Sequence, residues 1–254
     1  MTLLLLTALA AASGPSSPAA AVVARAAVAA SAADSTVILW TFDLAPGWHL
    51  YGPHRNDTGQ PPTVSLTAPP DWSAGPLVGW PRPQRHVVAD LILDHIYEDR
   101  LELWQTIRHP AGAAPQTVPA LARWLVCGDI CVPGDTTLAL VLPGPPDPAA
   151  AARLAVLRQE RPQPLPPSVY TARAIPDGFA VTVPGARGLT FIPDAAGPAL
   201  VDLLHDGVTA GPTLVLRLAP GWREPLTGLL CVDYKDHQRV GMISLTPPNQ
   251  GDRP

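Results

Sequence analysis

From Thr36 onward the chain is built of short apolar runs rich in Val, Leu, Ile, Thr and aromatic residues, each ended by Pro, Gly or Asp. In the first half these are TVILWTFDL (36–44), TVSLTAP (63–69), LELWQTI (101–107), LARWLVC (121–127) and TTLALVLP (136–143). Runs of that length and punctuation predict strands of an antiparallel sandwich. The texture changes at PGPPDP (143–148). AAAARLAVLRQE (149–160) predicts a helix with Leu154 and Leu157 on one side, and RPQPLPP (161–167) predicts an extended, stiff spacer. A second strand set begins at Ser168: SVYTARAI, GFAVTVP, GLTFIP, TLVLRLAP, LTGLLCVD and RVGMISLTP, with GPALVDLLHDG (197–207) expected as a short crossing helix. The expectation is an all-β protein: one β domain over 34–146, a short helix and Pro-rich linker over 147–167, a second β domain over 168–248, and a disordered tail over 249–254.

Residues 1–33 read as a signal peptide. LLLLTALAAA (3–12) is an apolar core of the right length, too short to cross a bilayer, and the Ala-rich run ending in ASAAD places cleavage near Ala32 or Ala33. No Lys or Arg precedes that core, the one departure from the usual pattern. No cysteine follows it, which argues against a lipoprotein anchor, and no later run is long and apolar enough to span a membrane. An exported, periplasmic protein is expected.

Composition narrows the chemistry. A net charge of −4 with 15% charged residues offers no basic surface for nucleic acid. With 33 prolines and 20 glycines in 254 residues, long helices are disfavoured, because proline lacks an amide proton and clashes with the preceding turn. Trp40, Trp48, Trp72, Trp80, Trp104 and Trp124 are expected to pack the first β domain.

Two of the three cysteines, Cys127 and Cys131, lie in WLVCGDICVP (124–133), a turn-forming stretch in which Gly128 and Asp129 permit a tight path. In an exported protein they can form a structural disulfide, a metal clip or a redox couple. Closing so small a loop removes little entropy from the unfolded chain, so the return as a staple is low. Thiolates with His49 and His54 would suit copper(I) or zinc, although none of the seven histidines has the cysteine spacing of a zinc site. Cys231, on an apolar strand, is expected to be inert packing.

Several motifs occur in a consistent order: Gly47-Trp48-His49-x-Tyr51, Pro69 to Trp72, Trp80 to Pro83, IYEDRLEL (96–103), and Trp124 to Pro133. Over residues 36–143 the chain resembles the periplasmic amino-terminal domain of DsbD-type thiol:disulfide interchange proteins, in the branch that includes the suppressor-of-copper-sensitivity protein ScsB. The second half resembles the second periplasmic domain of that branch only weakly. The resemblance implies immunoglobulin-like sandwiches, no cofactor beyond a redox-active disulfide, and a place in a protein-disulfide reductase system. Reducing equivalents would arrive from a membrane-embedded thiol electron carrier and pass to thioredoxin-fold oxidoreductases. By position Cys131 matches the cysteine that bonds to partners and Cys127 its resolving neighbour. Some relatives shield the pair with an acidic and aromatic loop. Here VVADLILD (87–94) keeps the acids without the aromatic, so Asp90, Asp94, Tyr97 and Glu98, with Asp129 in the turn, are the candidates for shielding or tuning. Copper handling, or a partner-binding sandwich with a structural disulfide, is the competing expectation.

Overall fold

A computed structural model describes residues 21–246. Ten strands form the first half: β1 (Val22–Ala32), β2 (Ser35–Leu44), β3 (His49–Tyr51), β4 (Thr63–Leu66), β5 (Ser73–Ala74), β6 (Gln84–Val88), β7 (Ile92–Glu98), β8 (Arg100–Arg108), β9 (Gln116–Cys127) and β10 (Cys131–Leu142). One sheet runs β1-β2-β8-β5, and the other runs β10-β9-β3-β7-β6 with β4 also on β9. Side chains alternate across each strand. On β9, Val118, Ala120, Ala122, Trp124 and Val126 point into the layer between the sheets and meet Ile38, Trp40 and Phe42 of β2. Trp48, Trp72 and Trp80 pack against this core, while Trp104 lies under the helix α1 (Pro148–Glu160).

The Ala-rich run placed in a signal peptide is, from Val22, a folded strand. β1 pairs with β2 along its length, and Ala21, Val22 and Ala29 are buried. Cleavage near Ala32 or Ala33 would remove that edge strand, so the strand runs against the expected 1–33 boundary. Small side chains carry a weak strand signal, and the neighbouring sheet overrides it. The apolar core at 3–12 and the tail at 249–254 lie outside the described residues.

The helix is capped by Asp147, whose carboxylate accepts from the Ala150 amide, with Pro148 in the first turn. Leu154 and Leu157 bury onto Ala29 and Leu39, so the helix roofs the outer face of the β1–β2 sheet. The spacer does not run free. Within it, β11 (Gln163–Pro164) pairs in parallel with a strand of the second half and Leu165 enters that half's core.

The second half holds β12 (Thr171–Ile175), β13 (Gly178–Thr182), β14 (Gly188–Pro193), β15 (Val208–Thr209), β16 (Thr213–Arg217), β17 (Leu226–Asp233) and β18 (Gln238–Leu245). A five-stranded sheet β11-β18-β17-β14-β15 faces a three-stranded sheet β12-β13-β16 across a core including Phe179, Phe191, Leu216 and Leu230. The segment 197–207 is a chain of turns with a single bridge, Leu200 to Leu218, in place of the expected helix. Asp202 accepts from the amides of Leu204 and His205 there, side-chain bonding that holds the backbone in turns. The described residues are mostly β, in sandwich layers, with one short helix. Among the described residues no helix is long and apolar enough to cross a membrane.

Candidate functional site around the Cys127–Cys131 disulfide

The turn after β9 reverses through Gly128, Asp129 and Ile130, closed by the Gly128 amide donating to the Ile130 carbonyl at 3.0 Å. This puts Cys127 and Cys131 opposite each other in the β9–β10 ladder, with Cα atoms 4.1 Å apart and their sulfurs bonded. Gly128 lies against the Gly47 carbonyl and the Trp48 indole, so a Cβ there would crowd the carbonyl and rest on the indole. Period-two alternation turns Cys127 away from the core that Val126 enters. It packs with Leu125, Tyr51 and Ile96 on the outer face of the sheet. The two sulfurs differ in access, Cys127 being buried and Cys131 exposed together with Asp129 and Ile130.

β3 supplies the polar neighbours. His49 is in register with Cys127 on one side and Glu98 on the other. Two residues on, and so on the same face, the Tyr51 hydroxyl lies 3.8 Å from the Cys131 sulfur and 3.4 Å from His49 Nε2. His86 stacks near His49, ring centroids 5.3 Å apart. Burial first, and His86 second, hold His49 below the usual histidine range against the opposing pull of Glu98 and Asp94. Burial raises the Tyr51 phenol above its usual range. Near neutral pH the site therefore holds a neutral imidazole and a phenol that keeps its proton, a hydrogen-bond donor poised at the sulfur.

The segment 52–59 continues β3 and is bound to β7. The His95 amide donates to Asn56 Oδ1, Leu93 to Asp57 Oδ2, and the Thr58 amide and hydroxyl both donate to Asp94, the hydroxyl at 2.5 Å. Gly59 lies flat against the Tyr51 ring, where any Cβ would overlap it.

The shielding candidates separate by strand parity. Glu98 is exposed beside His49, and Asp94 is buried one link away from Tyr51 through Thr58. Tyr97 faces the opposite side of the sheet, in the core, where its hydroxyl donates to the Pro81 carbonyl. Asp90 sits exposed in the β6–β7 turn at the far end of β7 from Glu98, about 20 Å along the strand. Neither Tyr97 nor Asp90 lies over the pair, and the cover on Tyr51 comes from Gly59. Of the metal candidates, His49 is beside the cysteines, whereas His54 packs on His95 and bridges to Asp194 of the second half. Among the described residues no group of three or more His, Cys, Asp or Glu is placed to hold a metal. Cys231 is buried in the second half, its thiol pushed up to about 11 by burial.

The family described as thiol:disulfide interchange protein DsbD, N-terminal, matches residues 18–143, a span that starts before β1 and ends just after β10. These residues form a DsbD-type N-terminal domain. The solved N-terminal periplasmic domain of ScsB from Proteus mirabilis matches the fold over 89% of this chain and 93% of its own, with a TM-score of 0.59 at 15% identity. The fold likeness thus extends past the DsbD-type domain into the second half. The reduced DsbD N-terminal domain of Neisseria meningitidis covers 50% of this chain and 90% of its own at 14% identity, with a TM-score of 0.32. No curated protein sequence matches the chain. The DsbD-type domain carries the disulfide at the tip of its longest hairpin, and sequence reasoning passed over Tyr51 as a site residue. The i, i+2 spacing of His49 and Tyr51 on a strand was the available signal.

Proposed function

We propose that this chain is a periplasmic thiol:disulfide exchange module in which the Cys127–Cys131 bond cycles between disulfide and dithiol. One observation carries the reading most directly: the pair joins an exposed cysteine to a buried one across the two-strand β9–β10 ladder. In the reducing half-cycle, a donor thiolate attacks Cys131 Sγ, the S–S bond breaks, and its electron pair leaves on Cys127 Sγ, which takes a proton. Reattack by Cys127, once it has lost that proton, on Cys131 Sγ is the back-reaction, which expels the donor thiolate and restores the disulfide. Net reduction therefore requires a second donor thiol to attack its own sulfur in the mixed disulfide, leaving the donor oxidised and the pair as dithiol. Passing electrons onward reverses this: the Cys131 thiolate attacks a client disulfide, and Cys127 resolves the mixed bond. Donor and client are proposed as a membrane-embedded thiol carrier and thioredoxin-fold oxidoreductases.

Thiol trapping after equilibration in glutathione buffers tests this. An exchange pair becomes reduced at potentials above about −300 mV, and one that stays oxidised there is a staple. With an oxidised thioredoxin-fold partner, Cys127→Ser should accumulate a mixed disulfide, its Cys131 thiolate attacking the partner's disulfide with no neighbouring thiol to resolve the bond, and Cys131→Ser should not. Copper(I) binding is the second reading, favoured by His49 alongside Cys127. Stoichiometric copper uptake by the reduced protein, lost in Cys127→Ser and unaccompanied by exchange, would replace the redox account.

A further inference from the structure

The loop that packs on Tyr51 is also the loop that the second half grips. Its Arg55 amide donates to the Pro193 carbonyl, and the Arg55 guanidinium donates to the carbonyls of Ala195 and Gly197 at 3.3 and 2.7 Å. In return the Ala195 amide donates to the Pro53 carbonyl, and His54 pairs with Asp194 as an isolated bridge. From the other side His95 Nδ1 donates to the Arg55 carbonyl at 2.8 Å. The next residues run directly onto the site: Thr58 fixes itself on Asp94, Gly59 covers the Tyr51 ring, and the Tyr51 hydroxyl meets Cys131. Every link in this path is a hydrogen bond or a packed contact between neighbours, and it joins 193–197 to the exposed sulfur.

We infer that the second sandwich is a positioning unit for the disulfide: through Arg55 it fixes the 53–59 loop, and the loop holds the Tyr51 hydroxyl where it donates to the Cys131 thiolate. Arg55 touches neither sulfur and acts only through Tyr51. A donor held at the sulfur stabilises the thiolate over the thiol, raising the fraction able to attack a disulfide at neutral pH. Freeing the loop leaves Tyr51 to sample other rotamers, and that stabilisation falls.

This inference rests on the exchange reading, and a double-mutant cycle keeps the two separable. The reduced full-length protein is mixed with oxidised glutathione, and attack by Cys131 is followed across pH for wild type, Arg55→Met, Tyr51→Phe and the double variant. Arg55→Met should slow attack at neutral pH about fivefold and move the midpoint of the pH profile upward, as Tyr51→Phe does. In the Tyr51→Phe background, Arg55→Met should add nothing. Thermal unfolding of each variant identifies those that are folded, and Asp194→Ala, which loosens the same contact from the other half, supplies a second route if Arg55→Met fails to fold. An unchanged rate and profile in folded Arg55→Met, or a full effect persisting without the Tyr51 hydroxyl, overturns the inference while leaving exchange standing. A wild-type pair inert to glutathione brings down both.

Discussion

His95 shows what one buried side chain does to the pH range of this protein. Burial, opposed by the hydrogen bond to the Arg55 carbonyl, holds its pKa at about 4 against an ordinary value of 6.5. Below pH 6.5 the unfolded chain takes up a proton that the folded imidazole refuses, so stability is full above that pH, falls as pH drops toward 4, and levels off below. The loss approaches about 3 kcal/mol for this group. Denaturant titrations between pH 7 and pH 4 should show a shallower decline in His95→Gln than in wild type. Cys231 gives a contrasting test: with its thiol buried and its pKa raised to about 11, it should resist iodoacetamide in the native protein and react fully once unfolded. At this scale the cysteines were legible because their spacing already implies a turn. Tyr51 was not, because a tyrosine beside a histidine has no signature until strand pairing brings β3 against Cys127.

Among elements, β1 separates what sequence pattern can show from what it cannot. The strands rich in Val, Leu, Ile and aromatics announced themselves, and β2, β8, β14 and β17 fall within a residue of where their runs predicted. An alanine strand looks like leader sequence, and the turns at 197–207 look like an amphipathic helix until the Asp202 side chain is considered. β1 also has a measurable consequence. Protein beginning at Asp34 should be less stable than protein beginning at Ala21 by about 3 kcal/mol or more, since Ala21, Val22 and Ala29 lose their burial and α1 loses part of its bed. Thermal unfolding of the two forms decides this, and mass spectrometry of exported protein should find its amino terminus at or before Ala21. A mature terminus at Asp34 with undiminished stability would remove β1 from the fold.

Across the whole molecule, two apolar cores are joined by groups that leave little slack. Arg153 is paired with Glu102 at 2.7 Å, fixing the helix to β8, and the Arg161 guanidinium donates to the Glu102 carbonyl. Arg85 donates to the Leu204 carbonyl, and Arg82 bonds Gln238, both across the two halves. The sequence announced a proline-rich spacer but not its fate, because parallel pairing of Gln163 and Pro164 with Gly241 and Met242 depends on partners some eighty residues away. That pairing governs encounter. With the connector stitched into one layer and the helix fastened to the other, the join between the two described halves is not the swinging arm by which tethered carriers sweep one reactive group between stations. Under the proposed exchange, the bonded sulfurs are presented at a fixed berth, and collision frequency would depend on how the proposed donor and client themselves approach.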